Sequence, residues 1–168
     1  MGRGFPLRDS GHSKGEIRVA ERLAMTDCRR DTARAMSEKN VEIVREGYAA
    51  FNRGDIDAAF KDFAPDFECD MSRAIGFNID RDIYDLAQFR RMFDDYVGSW
   101  EDFQLGANEF LDAGDHVVVP FTNRARGRDG IELQGRGTFV WTIGDGAIVR
   151  ACLYQERDEA LEAAGLAE

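Results

Sequence analysis

Phe139-Val140-Trp141-Thr142-Ile143-Gly144-Asp145-Gly146-Ala147-Ile148-Val149-Arg150 is the stretch from which the fold is read. β-Branched and aromatic residues fill both flanks, and Gly-Asp-Gly between them supplies the backbone freedom of a tight reversal. The stretch predicts a hairpin between strands at 131–143 and 147–155. Moving upstream, Arg128-Asp129-Gly130 is a second turn and 116–126 a further strand. Asp112-Ala113-Gly114-Asp115 is a third turn, preceded by a strand at 103–111. The second half of the chain therefore predicts an antiparallel meander, with a short closing helix over 157–164.

The first half reads differently. Val41, Val44, Tyr48 and Phe51 recur at helical spacing, and Ser37 with Asn40 offers capping chemistry, so 37–52 predicts a helix. Gly54 suits its C-terminal end and Asp55 the N-cap of a second helix carrying Ile56, Ala59, Phe60 and Phe63, which Pro65 ends. A short strand follows at 67–71, and 72–84 shows no regular pattern. Asp85 and Gln88 form a capping box for a third helix bearing Leu86, Phe89, Met92, Phe93, Tyr96 and Val97. Helices segregated from an antiparallel sheet define an α+β fold.

Composition narrows the function. A length of 168 residues fits one domain, or one domain with a tail, and 43% hydrophobic residues suffice for a real core. A net charge of −10 repels phosphate backbones, which argues against nucleic-acid binding. The apolar runs are too short for a bilayer, so no membrane partner is expected. Three cysteines without CxxC spacing argue against a disulfide framework and a zinc site, and fit reduced thiols in a cytoplasmic protein. Two histidines cannot form a His-rich metal cluster. The composition changes sign near Met36: residues 1–35 carry eight basic and five acidic residues, against fourteen and twenty-seven in the remainder. Residues 1–36 are expected to be a flexible, disordered or loosely helical extension, and 37–168 the domain. Acidic residues within 1–35 and the lack of an apolar run argue against a targeting signal, and we expect natural translation to start at Met36.

Several motifs, in order, carry a family resemblance. They are Asn40-Val41-Glu42-Ile43-Val44, Tyr48-Ala49-Ala50-Phe51-Asn52-Arg53-Gly54-Asp55 and Phe63-Ala64-Pro65-Asp66-Phe67-Glu68. Phe110-Leu111-Asp112-Ala113-Gly114-Asp115-His116-Val117-Val118-Val119 follows, then the hairpin quoted above and Arg157-Asp158-Glu159-Ala160-Leu161-Glu162-Ala163-Ala164-Gly165-Leu166. The set resembles SnoaL-like proteins of the nuclear-transport-factor-2-like superfamily. The resemblance implies a cone-shaped, curved antiparallel sheet wrapped around three N-terminal helices, with an apolar cavity at its wide end. It also implies function classes: polyketide cyclases, ketosteroid isomerases, epoxide hydrolases and non-catalytic binding modules share this fold, so the fold does not select among them.

Following the motifs, the steroid isomerase's tyrosine falls at Gly47, its base at Met71 and its protonated acid at Thr138, so that constellation is not matched. Asp70 remains the candidate base, or else an exposed carboxylate at a strand end. Gln134, Arg136, Thr138 and Val140 share one strand face, which the resemblance turns toward the cavity. There Arg136 would assist catalysis or grip an acidic group; near the sheet edge it would instead lie in water. Tyr48, Met71, Trp100, Gln134, Thr138 and Val140 are the candidate ligand contacts. Phe139, Trp141, Cys152 and Tyr154 fall on the opposite alternation, where the resemblance implies a homodimer face. The expected function is binding of a small hydrophobic, oxygen-bearing molecule, with isomerisation, cyclisation or hydrolysis that uses no metal, nucleotide or other cofactor. The alternative is a non-catalytic ligand-binding or dimerisation module.

Overall fold

The structure is a computed structural model that describes residues 14–75, 79–107 and 109–167. Its elements are α1 (Lys14–Asn52), α2 (Ile56–Ala59), β1 (Phe63–Asp70), β2 (Ile83–Asp85), α3 (Leu86–Gly98), β3 (Asp102–Gly106), β4 (Leu111–Ala113), β5 (His116–Arg126), β6 (Glu132–Gly144), β7 (Ala147–Tyr154) and α4 (Arg157–Ala163). The chain divides between Ala35 and Met36 into two units.

In the first unit, residues 14–35 are helical. No Gly or Pro interrupts this stretch after Gly15, and Ala, Arg, Leu, Met and Glu dominate it, so intrinsic propensity favours helix without burial. Thr26 and Thr32 donate back to the carbonyls of Arg22 and Cys28 at 2.8 and 2.9 Å. The extension expected from sequence is thus helical over these residues, and 1–13 lie outside the described ones.

In the second unit, the strands form a curved, unclosed seven-stranded sheet in the order β2-β1-β7-β6-β5-β3, with β4 also paired to β5. The predicted meander is present as β5, β6 and β7, in antiparallel register from His116↔Thr142 to Arg126↔Glu132 and from Thr138↔Tyr154 to Gly144↔Ala147. Asp145 and Gly146 both take positive φ, 51° and 79°. That combination lets a two-residue turn follow the right-handed twist of its strands.

Three expectations are corrected. The second helix stops at Ala59, and β1 begins at Phe63 instead of 67. The reason is pairing: β1 lies parallel to β7, with Phe63 opposite Ile148 and Cys69 opposite Ala151. Pro65 falls in the register irregularity between Phe63 and Glu68, where its missing N–H is harmless. The strand predicted at 103–111 is two strands, because β3 pairs with residues 122–126 of β5 and β4 with 116–118. Ser37 and Asn40 do not cap a helix, since α1 continues through them. Ser37 Oγ donates to the Asp112 carboxylate, and Asn40 Nδ2 donates to the Gly114 carbonyl at 3.1 Å, tying the helix to the β4–β5 turn.

One layer of the core lies between the sheet's interior face and the helices. It joins Val44 and Tyr48 of α1 to Phe89 of α3 and to Phe67, Val117, Phe139 and Trp141 of the strands. A smaller layer lies on the other face, where Ala160 and Leu161 of α4 pack on Val118 and Val140. No described helix is long and apolar enough to cross a membrane.

The predicted capping box holds α3 in place. Gln88 N donates to Asp85 Oδ1 at 2.8 Å and Asp85 N to Gln88 Oε1 at 3.0 Å. Asp85→Ala is expected to lower the unfolding free energy by about 1 kcal/mol, and Asp85→Ser to restore most of it, in urea denaturation curves.

Candidate functional site

Strand alternation decides which side chains meet in the interior. On β5, Val117, Val119, Phe121, Asn123 and Ala125 are buried, alternating with exposed residues at its outer half. On β6 the inward set is Gly135, Gly137, Phe139 and Trp141, opposite Asn123, Phe121, Val119 and Val117 in register. Leu153 and Ala151 of β7, and Phe67 and Cys69 of β1 followed by Met71, complete the wall.

Phe139 and Trp141 of this wall and side chains of the helices line a partly open cavity of about 60 Å³. Gly47, Tyr48 and Phe51 of α1 line one side, Phe60, Phe63, Phe89 and Phe93 another, and Phe139 and Trp141 the sheet side. The rings meet edge to face, Tyr48 with Trp141 at 6.1 Å and Phe63 with Trp141 at 5.9 Å, the favoured aromatic geometry. Trp141 Nε1 donates to Tyr48 Oη at 3.2 Å, which gives the indole N–H its acceptor. Burial pushes the Tyr48 phenol far above its ordinary value, so it stays neutral.

A second chamber of about 10 Å³ adjoins the first and shares Phe93, Leu105 and Phe139 with it. Met71, Met92, Tyr96 and Asn123 line it. Asn123 Nδ2 donates to Tyr96 Oη at 3.3 Å, while Asn123 Oδ1 is buried with no partner among the described residues. Burial also pushes the Tyr96 phenol upward. Beyond Met92 and Tyr96 lies a groove of about 450 Å³, lined by Asp80, Arg81, Tyr84, Gln88, Arg91, Asp95 and Ser99. Met92 and Tyr96 border both spaces and so form the partition between cavity and groove.

The Gly135-Arg136-Gly137 stretch exists for packing. A Cβ at residue 135 would lie 2.2 Å from Asn123 Oδ1, and one at 137 would lie 2.9 Å from Phe121 Cζ. The two glycines leave the volume that the amide and the ring occupy.

Of the sequence candidates, Tyr48 and Met71 line the cavity. Trp100 stands behind the partition, its ring edge-on to Tyr96 at 6.1 Å and its buried Nε1 without a partner among the described residues. The expected inward face of β6 is corrected. Gln134 and Arg136 are exposed, and the Arg136 guanidinium lies 3.9 Å from Glu156 with 73% of its side chain in contact with solvent. Thr138 and Val140 are buried on the outer face, Thr138 in register with Tyr154 and Val140 packed with Ala160 of α4. Phe139 and Trp141, expected at a dimer face, are in the cavity, while Tyr154 and Cys152 remain outside. The expectation was one residue out of phase, and with a period of two such a slip turns over every side chain.

Asp70 shares the outer face, away from the cavity. Ser72 donates to its carboxylate through the backbone N at 3.0 Å and Oγ at 2.6 Å, and Arg150 Nη2 lies 3.4 Å away. Partial burial pushes its carboxyl up, but the Ser72 hydrogen bonds and the Arg150 and Arg73 charges outweigh it and hold the group below the ordinary carboxylate value. Its carboxylate is paired on that face, and Asp70 is not among the residues that line either chamber.

Asn123, Tyr96, Phe93 and Leu105 were missed from sequence. Asn123 did leave a signal: it is the one polar residue in the alternation Val117, Val119, Phe121, Asn123, Ala125.

Residues 44–151 match the SnoaL-like domain family, and the chain belongs to that family. No curated protein matches the chain. Among solved structures it is similar to AclR, a proposed hydroxylase from Streptomyces galilaeus, with 18% identity and a TM-score of 0.58 over 77% of this chain and 97% of that one. It is similar to a proposed polyketide cyclase from Xanthomonas campestris, with 21% identity and a TM-score of 0.55 over 76% and 97%. It is also similar to the Δ5-3-ketosteroid isomerase of Mycobacterium sp., with 15% identity and a TM-score of 0.58 over 71% and 95%. At these identities the likeness is one of fold.

Two measurements probe this geometry. Gly135→Ala must displace the Asn123 amide and is expected to lower stability by roughly 1–3 kcal/mol in urea denaturation. Asp70, with a carboxyl pKa lower in the folded than in the unfolded chain, contributes stability above the unfolded value and loses it as pH falls through the folded one. Stability–pH profiles of wild type and Asp70→Asn should therefore converge on acidification, with wild type the more stable near neutrality.

Proposed function

We propose that this SnoaL-like domain is a receptor for a small, largely apolar molecule, taken into the aromatic cavity and held there by burial without acid–base chemistry at Asp70. The supporting observation is the cavity wall: among the described residues, no Asp, Glu, His, Lys or Arg lines either chamber. General acid–base catalysis needs a titratable group within hydrogen-bond reach of the substrate. The two tyrosines present are both shifted upward by burial, away from a catalytic range. A concave, mostly apolar site with few polar groups is the ordinary form of a small-molecule pocket. The solved relatives named above are described as enzymes, and at 15–21% identity what they share with this chain is the fold.

Size sets the class of ligand. A cavity of about 150 Å³ takes benzene, and the two chambers fall short of that even when joined, so a ring is admitted only as the lining side chains move outward. Phe93 and Leu105 are half-buried and separate them, and a rotamer change at either joins the spaces. A single-ring body fits this description better than a steroid.

The test is a thermal-shift screen on the full chain with aromatic hydrocarbons, phenols, terpene epoxides and steroids. At a ligand concentration one hundredfold above its dissociation constant, Tm is expected to rise by about 5 °C or more. Gly47→Leu fills the cavity from α1 and should abolish the shift, while Asp70→Asn and Arg136→Ala should retain it. A screen in which no class raises Tm would sink the reading.

A further inference from the structure

We infer that the small chamber at Asn123 is a specificity subsite for one neutral hydrogen-bond donor, so that the ligand is an apolar ring bearing a single hydroxyl, such as a phenol. The inference rests on the receptor reading above and names the ligand's chemistry. Asn123 is only 5% exposed, yet its Oδ1 has no partner among the described residues. Leaving a buried acceptor unpaired is costly, and folds seldom keep one unless something pairs with it. The rest of this alternation on β5 is apolar, so the amide is not there for packing. Gly135 leaves the volume that Oδ1 occupies.

The chemistry of the partner follows from the atoms. Oδ1 can only accept, and the Nδ2 of the same amide already donates to Tyr96 Oη. With the amide placed so that Nδ2 faces Tyr96 Oη, the group that completes the site is a donor. The chamber's volume, about 10 Å³, matches one water-sized group, which admits a hydroxyl and excludes a carboxylate or a phosphate. With no cationic side chain in the lining, an anion would be buried uncompensated. Phe93, Leu105 and Phe139 border both chambers, so a ring admitted to the larger one by movement of its lining would sit beside the smaller, which Asn123 lines.

The experiment uses three probes of one shape: p-cresol, p-xylene, in which a methyl replaces the hydroxyl, and p-tolualdehyde, which can only accept. Each is titrated into the ¹⁵N-labelled full chain, following the indole N–H of Trp141 in the cavity wall. In wild type p-cresol is expected to bind at least roughly tenfold tighter than p-xylene, as one buried hydrogen bond gives. Asn123→Leu, or Asn123→Ala should the first not fold, is expected to bring the two probes within about twofold. Equal binding of p-xylene and p-cresol in wild type, a preference that survives in both variants, or p-tolualdehyde binding as tightly as p-cresol each overturns the subsite. In those cases the cavity still takes a ring and the receptor reading stands. If none of the three probes binds, both fall.

Discussion

The contact between Trp141 and Tyr48 is the constraint from which the rest of the domain follows. Their rings meet edge to face, and the indole N–H ends on the phenol oxygen at 3.2 Å. An indole that large, with a polar atom needing a partner, has a stable place only where α1 presents that hydroxyl. Seating it there fixes the parity of β6. Once Trp141 points inward, so do Phe139, Gly137 and Gly135, and Arg136 and Gln134 must face water. The parity passes through the register to β5 and β7, which sets Phe121 and Asn123 inward and Cys152 and Tyr154 outward.

Two polar arrangements in the interior contrast with each other. Trp141 donates its indole N–H to Tyr48, so that donor is paired. Tyr96 and Asn123 form an incomplete pair, with the amide carbonyl left over. In a low-dielectric interior a complete network strengthens the fold and an incomplete one weakens it. The incomplete pair sits at the partition between the cavity and the outer groove, where a ligand would pass. Stability given up at such a place is characteristic of a site shaped for an occupant instead of for rigidity.

The outer face carries the charge. Asp70, Arg150, Arg73 and Glu159 form exposed pairs there, with Arg73 also over the Tyr154 ring at 5.4 Å. Such pairs contribute little to stability individually. Their consequence is placement: charge lies on this face, with α4 over Val118 and Val140, while among the described residues the opposite face carries no charged side chain and only Asn123 as a polar interruption in its β5 alternation. Groups that looked catalytic in the sequence, Asp70 and Arg136, belong to this solvated surface.

Local chemistry accounts for what the sequence alone determined. The Gly144-Asp145-Gly146 reversal, the Asp85–Gln88 capping box and the strands of the meander all rest on neighbours within a few residues, and the structure contains each of them. Tyr48 and Met71, named as candidates by following the family motifs to Gly47 and Met71, both line the interior spaces. What tertiary structure decided is the parity of β6, the parallel pairing that starts β1 at Phe63, and the meeting of Asn123 with Tyr96 across the partition. Alternation states that residues two apart share a face, but not which face is inside. That choice depends on a partner about ninety residues away in the chain, the Tyr48 hydroxyl that receives the Trp141 indole.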